Sequence, residues 1–293
     1  MNSSVYILLP VFNRRLITEI FVNCLLKQTY QNYHLILIDD GSTDGTDRLV
    51  KERLDRVVIL KGFGDWWWAG SLQQGVNWLK RNGIQDRDIV VFMNDDIVFA
   101  PDFLKIAIEL LNERGGMLLP QVVDSETGRI EESGVSADLK RLSFVTAETP
   151  ENINCLPTRG LFMTMGTLRM VGDFYPKMLP HYLSDYEFTI RAKKMGVRLT
   201  TSSKLLISVD EGATGFRVFD DLSFLEFIKR YFSNKSTANP IHWSNFIFLT
   251  SPKLFIPWNI FKVWRGVVKI VLTQAVRTLS IYIISITSAA PKK

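Results

Sequence analysis

The sequence has few of the residues that build disulfide frameworks and transition-metal centres. Its 293 residues include two cysteines and three histidines. Cys24 and Cys155 lie far apart, which indicates neither a disulfide framework nor a zinc site. The histidines are His34, His181 and His242, too few and too scattered for a transition-metal centre. This composition predicts a protein of a reducing compartment.

Long hydrophobic runs are also missing. No stretch of 18 uncharged apolar residues occurs, so the sequence predicts no transmembrane helix. The first apolar run is interrupted by Pro10 and follows no basic segment, which favours a first strand over a signal peptide. With 46% hydrophobic and 22% charged residues, the chain has the composition of a globular protein that can build a full core.

Acidic residues are absent from the end of the chain. After Glu226 there is none, whereas ten Lys and Arg residues follow. The overall charge of +5 therefore combines a body of net −5 with a tail of net +10. This asymmetry, together with the aromatic character of the tail, predicts a main domain over residues 1–217 and a separate region over 218–293.

What the first 120 residues do contain is an alternation of strand and helix patterns. The predicted strands are Val5–Leu9, His34–Ile38, Arg56–Leu60, Ile89–Met93 and Met117–Pro120. The predicted helices are Leu16–Lys27, Asp44–Arg53, Ser71–Arg81 and Asp102–Glu113. Such alternation is typical of an α/β domain with a central, mostly parallel sheet, in which ligands bind beyond the carboxyl ends of the strands.

No glycine-rich phosphate loop follows the first strand. Neither G-x-x-x-x-G-K-[ST] nor G-x-G-x-x-G occurs there, so a bound diphosphate needs another counter-charge. Asp95 and Asp96 follow the fourth strand and are candidates to hold Mg²⁺ with the help of ligand phosphates. Spacing alone leaves equal room for a polar turn, or for Asp96 and Asp102 as caps of the next helix.

A second pair of carboxylates, Asp185 and Glu187, lies in the first turn of a predicted helix, Ser184–Met195. Carboxylates at this position are favoured by the helix dipole, which by itself explains them. The functional interpretation is a general base that accepts a proton from an attacking hydroxyl.

Five segments in order give the chain a family resemblance. They are LLPVFNR, LILIDDGSTDGT, WWWAGSLQQGV, MNDDI and YLSDYEFTIRA. Together they resemble the inverting family 2 glycosyltransferases of the GT-A fold over roughly residues 4–215. The variants MNDDI and WWWAG are most similar to rhamnosyl- and galactofuranosyltransferase-like enzymes of cell-envelope polysaccharide synthesis, such as O-antigen. The resemblance implies a nucleotide-sugar half over residues 1–120 and an acceptor half over 121–217.

The resemblance also implies roles for individual residues. Those expected to contact the nucleotide sugar are Pro10, Phe12, Asn13, Asp39, Trp68, Gly70, Gln74, Asn94 and Asp95. Asp96 stands at the family's principal metal position, with Asp95 beside it, while Asn94 replaces the first Asp of the motif. A later strand offers Asp210 where many relatives have a histidine ligand. The implied cofactor is Mg²⁺ or Mn²⁺.

On the acceptor side, Asp185 aligns with the family's catalytic base, although Ser184 replaces the preceding Glu. His181 and Tyr182 are candidates to line the acceptor pocket, and a structural role fits them equally well. Trp66, Trp67 and Trp68 either pack at the rim of the core or stack on a sugar or base.

The tail predicts an amphipathic helix over residues 254–285. On a helical wheel, Lys262, Arg265 and Lys269 lie on one side, and the residues opposite are apolar: Val267, Val271, Trp264, Val268 and Ala275. A basic face and an apolar face with tryptophan, without acids, are typical of helices on anionic lipid. The alternative is an apolar face packed back on the catalytic domain; nucleic acid fits poorly because the tail is too apolar.

Together these features predict an enzyme that transfers a sugar from a UDP- or dTDP-sugar to a saccharide or lipid-linked saccharide. The predicted location is cytoplasmic and peripheral, on the inner face of the cell membrane. Two alternatives are a catalytically silent sugar-nucleotide-binding or scaffold protein of the same fold, and a nucleotidyltransferase.

Overall fold

The computed structural model describes residues 3–124, 127–209 and 223–288. The chain divides into two compact units. The first comprises Met1–Asp138 and Leu142–Gly215, and the second comprises Leu139–Arg141 and Phe216–Lys293.

The first unit begins with strands and helices in alternation. Its strands run in the order β1 (Val5–Val11), β2 (Tyr33–Asp39), β3 (Val57–Lys61), β4 (Ile89–Phe92), β5 (Ile97–Val98) and β6 (Met117–Val123). The intervening helices are α1 (Arg15–Leu26), α2 (Thr46–Arg53), α3 (Trp67–Arg81) and α4 (Phe103–Arg114). Every strand and helix predicted for the first 120 residues is therefore present, and β5 is an addition that the sequence pattern did not indicate.

The rest of the first unit completes the sheet. Its strands are β7 (Ile130–Glu132), β8 (Val135–Asp138), β9 (Ser143–Thr146), β10 (Leu161–Thr164) and β11 (Leu199–Val209). Its helices are α5 (Met165–Val171) and α6 (Ser184–Lys194). The bounds of α6 are close to the predicted Ser184–Met195. β8 and β9 form a separate antiparallel pair.

The central sheet has the order β3-β2-β1-β4-β10-β6-β11-β5, with β7 paired to β6, among the strands that the structure describes. β1, β2, β3 and β4 are mutually parallel, and β6 is parallel to β11. β10 runs antiparallel between β4 and β6. The prediction of an α/β fold with a mostly parallel sheet is confirmed.

The central strands read as unbroken apolar runs because both faces of the sheet are covered. In β4, Ile89 and Val91 belong to the core on one face, whereas Val90 and Phe92 belong to the core on the other. The first core includes residues of α1, α2 and α4, and the second includes residues of α3, α5 and α6. Because β1 to β4 are parallel, their carboxyl ends lie at one edge of the sheet, where the loops that follow them meet.

The second unit is helical. It contains α7 (Phe224–Tyr231), α8 (Pro240–Thr250) and α9 (Ile256–Ser288). The carbonyl of Leu139 accepts hydrogen bonds from Ser251 Oγ at 3.1 Å and from Asn259 Nδ2 at 3.0 Å, which ties residues 139–141 into this unit. Across the described parts of the chain, none of the helices has both the length and the hydropathy needed to span a bilayer.

The faces of α9 differ from the prediction. Val267 is 6% exposed and packs with Phe227 and Tyr231 of α7, with Val271 partly buried against the same cluster. Part of the predicted apolar face, Val267 with Val271, is therefore covered by α7, whereas Trp264 and Val268 of the same predicted face are 40% and 56% exposed.

A different face of α9 is exposed. Its large apolar side chains include Trp258, Phe261, Val268, Leu272 and Val276, which are at least half exposed. With the exposed Arg265 and Lys269 they fall within an arc of about 100° at the helical spacing. We call these seven residues the aromatic–basic face.

Candidate active site

The loops after β1 and β2 are joined by Asn13. Its backbone amide donates to Ser42 Oγ at 2.9 Å, and its side-chain Oδ1 accepts from the amide of Thr43 at 2.8 Å. Asn13 has a φ of 52°, a left-handed conformation that asparagine tolerates better than most residues. The first strand therefore ends in a fixed turn beside IDDGST, although both ends of the tether are exposed.

Asp39 and Asp40 follow β2 but make different contacts. Asp39 Oδ1 accepts from the amide of Ser42 at 2.8 Å. Asp40 accepts from the amides of Gly64, Trp66 and Trp67 at 2.9, 3.0 and 3.1 Å, so it organises the loop after β3. Burial raises the pKa of the Asp40 carboxyl, although the three amide donors oppose the rise.

The two carboxylates after β4 lie against a cation. Arg14 Nε is 2.8 Å from Asp95 Oδ1, and Arg14 Nη2 is 3.5 Å from Asp96 Oδ2. Thr18 Oγ1 donates to Asp95 Oδ2 at 2.8 Å, so both oxygens of Asp95 are engaged. Burial raises the pKa of Asp95, and the Arg14 charge and the Thr18 hydroxyl oppose that rise.

Two oxygens at the same strand end have no hydrogen-bond partner among the described residues. They are Asn94 Oδ1 and Asp96 Oδ1, and both atoms are buried. Unpaired buried oxygens are costly, and oxygen is the ligand atom that Mg²⁺ and Mn²⁺ prefer. These oxygens fit a divalent cation that a diphosphate helps to hold.

The described residues form no larger preformed cluster of metal ligands. Within residues 3–124, 127–209 and 223–288, no group of three or more His, Cys, Asp or Glu side chains is arranged to hold a metal. A site with one or two protein carboxylates matches the way Mg²⁺ is usually bound with phosphates. Asp210, the expected third ligand, lies outside the described residues.

The three tryptophans do not act alike. Trp66 and Trp68 are partly buried against the core, whereas Trp67 lies edge-on to His181 with ring centroids 6.1 Å apart. Trp67 has a φ of 56°, a conformation that costs an aromatic residue on the order of 1 kcal/mol. In this conformation the Trp67 ring contacts His181, in the loop that precedes Asp185.

The start of α3 and the loop before α6 are in direct contact. The amide of Ala69 donates to the carbonyl of Pro180 at 3.0 Å. A Cβ on Gly70 would lie 3.3 Å from Trp66 Cβ and 3.8 Å from Pro176 Cβ. The predicted donor-side residue Gly70 and the predicted acceptor-side residues His181 and Tyr182 therefore belong to adjoining segments.

The structure separates the two carboxylates of α6. Glu187 is 3% exposed and pairs with Arg191 through contacts of 2.8 and 2.9 Å, so it is committed to a structural ion pair. Asp185 is half-buried, and its Oδ1 accepts from the amide of Tyr186 at 2.8 Å. Leu183, just before the helix, has a φ of 70°, a second strained position at this site.

Ser184, which stands where relatives have a Glu, is buried and donates from Oγ to the carbonyl of His181 at 2.7 Å. Its hydroxyl fixes the turn that carries His181 and Tyr182. His181 and Tyr182 contact each other with ring centroids 4.5 Å apart. Burial raises the pKa of Tyr182.

Three other expected donor-side residues are Phe12, Pro10 and Gln74. Phe12 is 48% exposed, and its ring approaches the position that a Cβ on Gly64 would occupy. Pro10 and Gln74 are half-buried. Sequence reasoning missed Arg14, Thr18 and Asp40. The polar residues that follow β1 and β2 were a signal for Arg14 and Asp40, whereas Thr18 lies inside α1 and had none.

The fold and this edge define a class of protein: an α/β domain with carboxylates, aromatic residues and a fixed turn at the carboxyl ends of its parallel strands. The model of a known family, described as glycosyl transferase family 2, matches residues 6–167. The chain belongs to this family.

A sequence relative is also named as a glycosyltransferase. The chain is 26% identical over 212 residues to "Glycosyltransferase AglE" of Haloferax volcanii, a match that covers 67% of this chain and 63% of that protein. The chain therefore spans less than two thirds of the length of this relative.

Solved structures show the fold. TarS 1–349 of S. aureus in complex with UDP-GlcNAc matches with a TM-score of 0.57 at 15% identity, over 86% of this chain and 82% of that one. The mannosyltransferase PcManGT from Pyrobaculum calidifontis in complex with GDP-Man and Mn²⁺ matches with a TM-score of 0.53 at 14% identity, over 100% and 82%. The predicted GT-A fold is confirmed.

Proposed function

We propose that the protein is an inverting glycosyltransferase that moves a sugar from a UDP- or dTDP-sugar to a saccharide or lipid-linked saccharide. The observation that carries this proposal is the pair of unpartnered oxygens, Asn94 Oδ1 and Asp96 Oδ1, at the carboxyl end of β4. Family membership supports it, as does the UDP-GlcNAc bound to one structural neighbour.

The donor is assigned to the edge formed by the first four strands. Phe12 and Asn13 contact the base and ribose, with Pro10 behind them and Asp39 accepting from the base. Asn94 faces the ribose or a metal-bound water. The loop organised by Asp40, with Trp68, Gly70 and Gln74 on α3, lies beside the sugar and diphosphate.

The cation is assigned to Asp96, with Asp95 held in place behind it by Arg14 and Thr18. A bound Mg²⁺ or Mn²⁺ supplies the positive charge that offsets the diphosphate leaving group. The Mn²⁺ of the PcManGT neighbour supports this choice of cofactor.

Asp185 is assigned as the general base. It accepts the proton of the acceptor hydroxyl, whose oxygen attacks the anomeric carbon from the face opposite the diphosphate and so inverts it. Glu187 is ruled out for this task by its ion pair with Arg191. His181 and Tyr182 orient the acceptor beside Asp185.

Replacement of Asp185 by Asn tests the assignment. We expect Asp185→Asn to bind UDP as tightly as the wild type and to lose sugar transfer by at least about a hundredfold, because the amide cannot accept the proton. The measurements are UDP titration calorimetry and a turnover screen of UDP- and dTDP-sugars with Mg²⁺ or Mn²⁺.

Asp102→Asn is the matched control, since Asp102 is an exposed carboxylate at another helix N-terminus. We expect this variant to keep full transfer. Undiminished transfer by Asp185→Asn would remove Asp185 from the mechanism. A wild-type protein that binds UDP yet turns over no nucleotide sugar would favour a silent binding protein.

We assign the aromatic–basic face of α9 to an anionic membrane surface. Trp258 and Phe261 supply aromatic side chains suited to the interface, and Arg265 and Lys269 supply the positive charge that attracts acidic headgroups. The protein would then act peripherally, on the inner face of the cell membrane, where a lipid-linked acceptor is accessible.

A further inference from the structure

Arg14 is the chain's own cation at the proposed metal site. It follows β1 and caps the start of α1 in a non-helical conformation, with φ −131° and ψ 35°. Its guanidinium approaches both Asp95 and Asp96, at 2.8 and 3.5 Å, while the two carboxylates are 5% and 3% exposed. Arg14 thus partly neutralises an acidic pair that the fold has taken out of water.

The contacts of the two carboxylates are unequal. Asp95 is fixed by Arg14 on one oxygen and by Thr18 on the other. Asp96 faces Arg14 through Oδ2 only, and its Oδ1 is the buried oxygen without a partner among the described residues. Asp96 is therefore the carboxylate with an oxygen left to bind a divalent cation.

Arg14 lies partly in solvent. Its Nε is buried and 2.8 Å from Asp95 Oδ1, so the opposite charges attract each other strongly at this contact. Its side chain is 28% exposed, which leaves room for movement toward solvent or a ligand. A pairing held mainly by charge responds strongly to any further charge nearby.

We propose that Arg14 couples the binding of the divalent cation to the binding of the diphosphate. The three side chains together carry a charge of −1, so a bound divalent cation would raise the local charge to +1 in the absence of an anion. The diphosphate removes that excess, and the cation therefore binds with the nucleotide rather than ahead of it. The inference rests on the proposed function, because it concerns the same site.

The test measures Mn²⁺ binding by the full chain from the electron paramagnetic resonance signal of free Mn²⁺, with and without UDP. We expect wild-type protein to bind Mn²⁺ weakly alone and at least about tenfold more tightly with UDP. Arg14→Met should bind Mn²⁺ alone about tenfold more tightly than wild type, and its gain from UDP should shrink by a similar factor.

Two further variants separate charge from geometry. Arg14→Lys keeps the charge and should behave like wild type. Arg15→Met removes the same charge at the exposed neighbouring position and should also behave like wild type. Circular dichroism checks the fold of each variant, and Arg14→Gln, which keeps a polar side chain, replaces Arg14→Met if that variant is unfolded.

The outcomes distinguish this inference from the proposed function. Unchanged or weaker Mn²⁺ binding by a folded, uncharged Arg14 variant overturns the coupling role, even if UDP and Mn²⁺ bind the wild type together. Equal Mn²⁺ affinity of the wild type with and without UDP overturns it as well. A wild type that binds neither UDP alone nor Mn²⁺ with UDP contradicts both the proposed function and the coupling.

Discussion

At the scale of single residues, Asp40 has the most concentrated set of contacts at the site. One buried carboxylate accepts hydrogen bonds from the backbone amides of Gly64, Trp66 and Trp67. Gly64 and Trp66 belong to the loop between β3 and α3, and Trp67 is the first residue of α3, so none of these amides lies in a strand. The side chain of Asp40 thus supplies the acceptor that regular structure provides elsewhere.

Asp40→Ala should therefore destabilise the protein and disorder the donor-side loop. We expect the free energy of unfolding to fall by about 2–4 kcal/mol, since several amides lose a charged acceptor. UDP affinity should fall as well. Urea denaturation and UDP titration are the measurements.

Asp65→Ala is the control for Asp40, because Asp65 is an exposed carboxylate of the same loop. It should change the free energy of unfolding by no more than about 0.5 kcal/mol. Equal effects of the two substitutions would show that general loop charge matters, and not the contacts of Asp40.

The contacts of individual side chains at the site could not all be predicted from the sequence. The string IDDGST contains both Asp39 and Asp40, and only the folded loop distinguishes their hydrogen-bond partners. Likewise Asp185 and Glu187 looked equivalent in a first helical turn. The spacing of Glu187 and Arg191, four residues apart in one helix, permits their ion pair, but only the folded structure shows that Glu187 is 3% exposed while Asp185 is half-buried.

At the scale of elements, α3 carries the donor-side residues and lies directly on the sheet. A Cβ on Gly75 would lie 2.6 Å from Leu8 Cδ2 and 2.8 Å from Ile38 Cδ1, and both of these side chains are fully buried. The absence of a side chain at Gly75 therefore lets α3 approach β1 and β2 closely.

Gly75→Ala should destabilise the protein by about 1–3 kcal/mol, because the added methyl overpacks the contact between helix and sheet. In most helix interiors the change from glycine to alanine stabilises the helix, so destabilisation here would have the opposite sign. The measurement is urea denaturation. Gly266→Ala is the matched control in α9, where nothing lies within 4 Å of the added Cβ. Stabilisation by both substitutions would contradict close packing at Gly75.

The elements themselves were largely predictable, and their neighbours in the sheet were not. Buried apolar runs and helical periodicity predicted β1 to β4 and α1 to α4 to within a few residues. The antiparallel insertion of β10 between β4 and β6 joins segments about 70 and 40 residues apart in sequence, and no local pattern encodes that pairing. The helix predicted from Ser71 begins four residues earlier, since α3 starts at Trp67.

At the scale of the whole molecule, charge is distributed unevenly along the chain. The stretch up to Glu226 has a net charge of −5, and the remainder has +10. In α9 the exposed cations Arg265 and Lys269 lie among exposed apolar side chains, and Lys253 is exposed just before the helix. A basic segment without acidic residues favours attraction to anionic surfaces.

The full chain should therefore bind vesicles that contain anionic lipid, and bind zwitterionic vesicles much less. Replacement of Lys253, Arg265 and Lys269 by Gln should reduce cosedimentation with anionic vesicles by at least about tenfold, at about 1 kcal/mol per removed charge. Raised salt should weaken wild-type binding in the same direction.

The charge-matched control replaces three exposed lysines of the first unit, Lys27, Lys51 and Lys105, by Gln. This control should bind vesicles like the wild type. Equal losses for the two triple variants would indicate that net charge alone drives binding, and no role would remain for the aromatic–basic face.

The sequence by itself determined the alternation of strands and helices, the carboxylates at the strand ends and the basic tail, because these follow from local patterns of hydrophobicity and charge. Only the tertiary structure decided which carboxylates are committed to partners, which face of α9 is exposed, and that Arg14 lies on the acidic pair. Most of those outcomes depend on contacts between residues that are distant in sequence, such as Arg14 with Asp95. Burial makes each such contact strong enough to decide what a side chain can still bind.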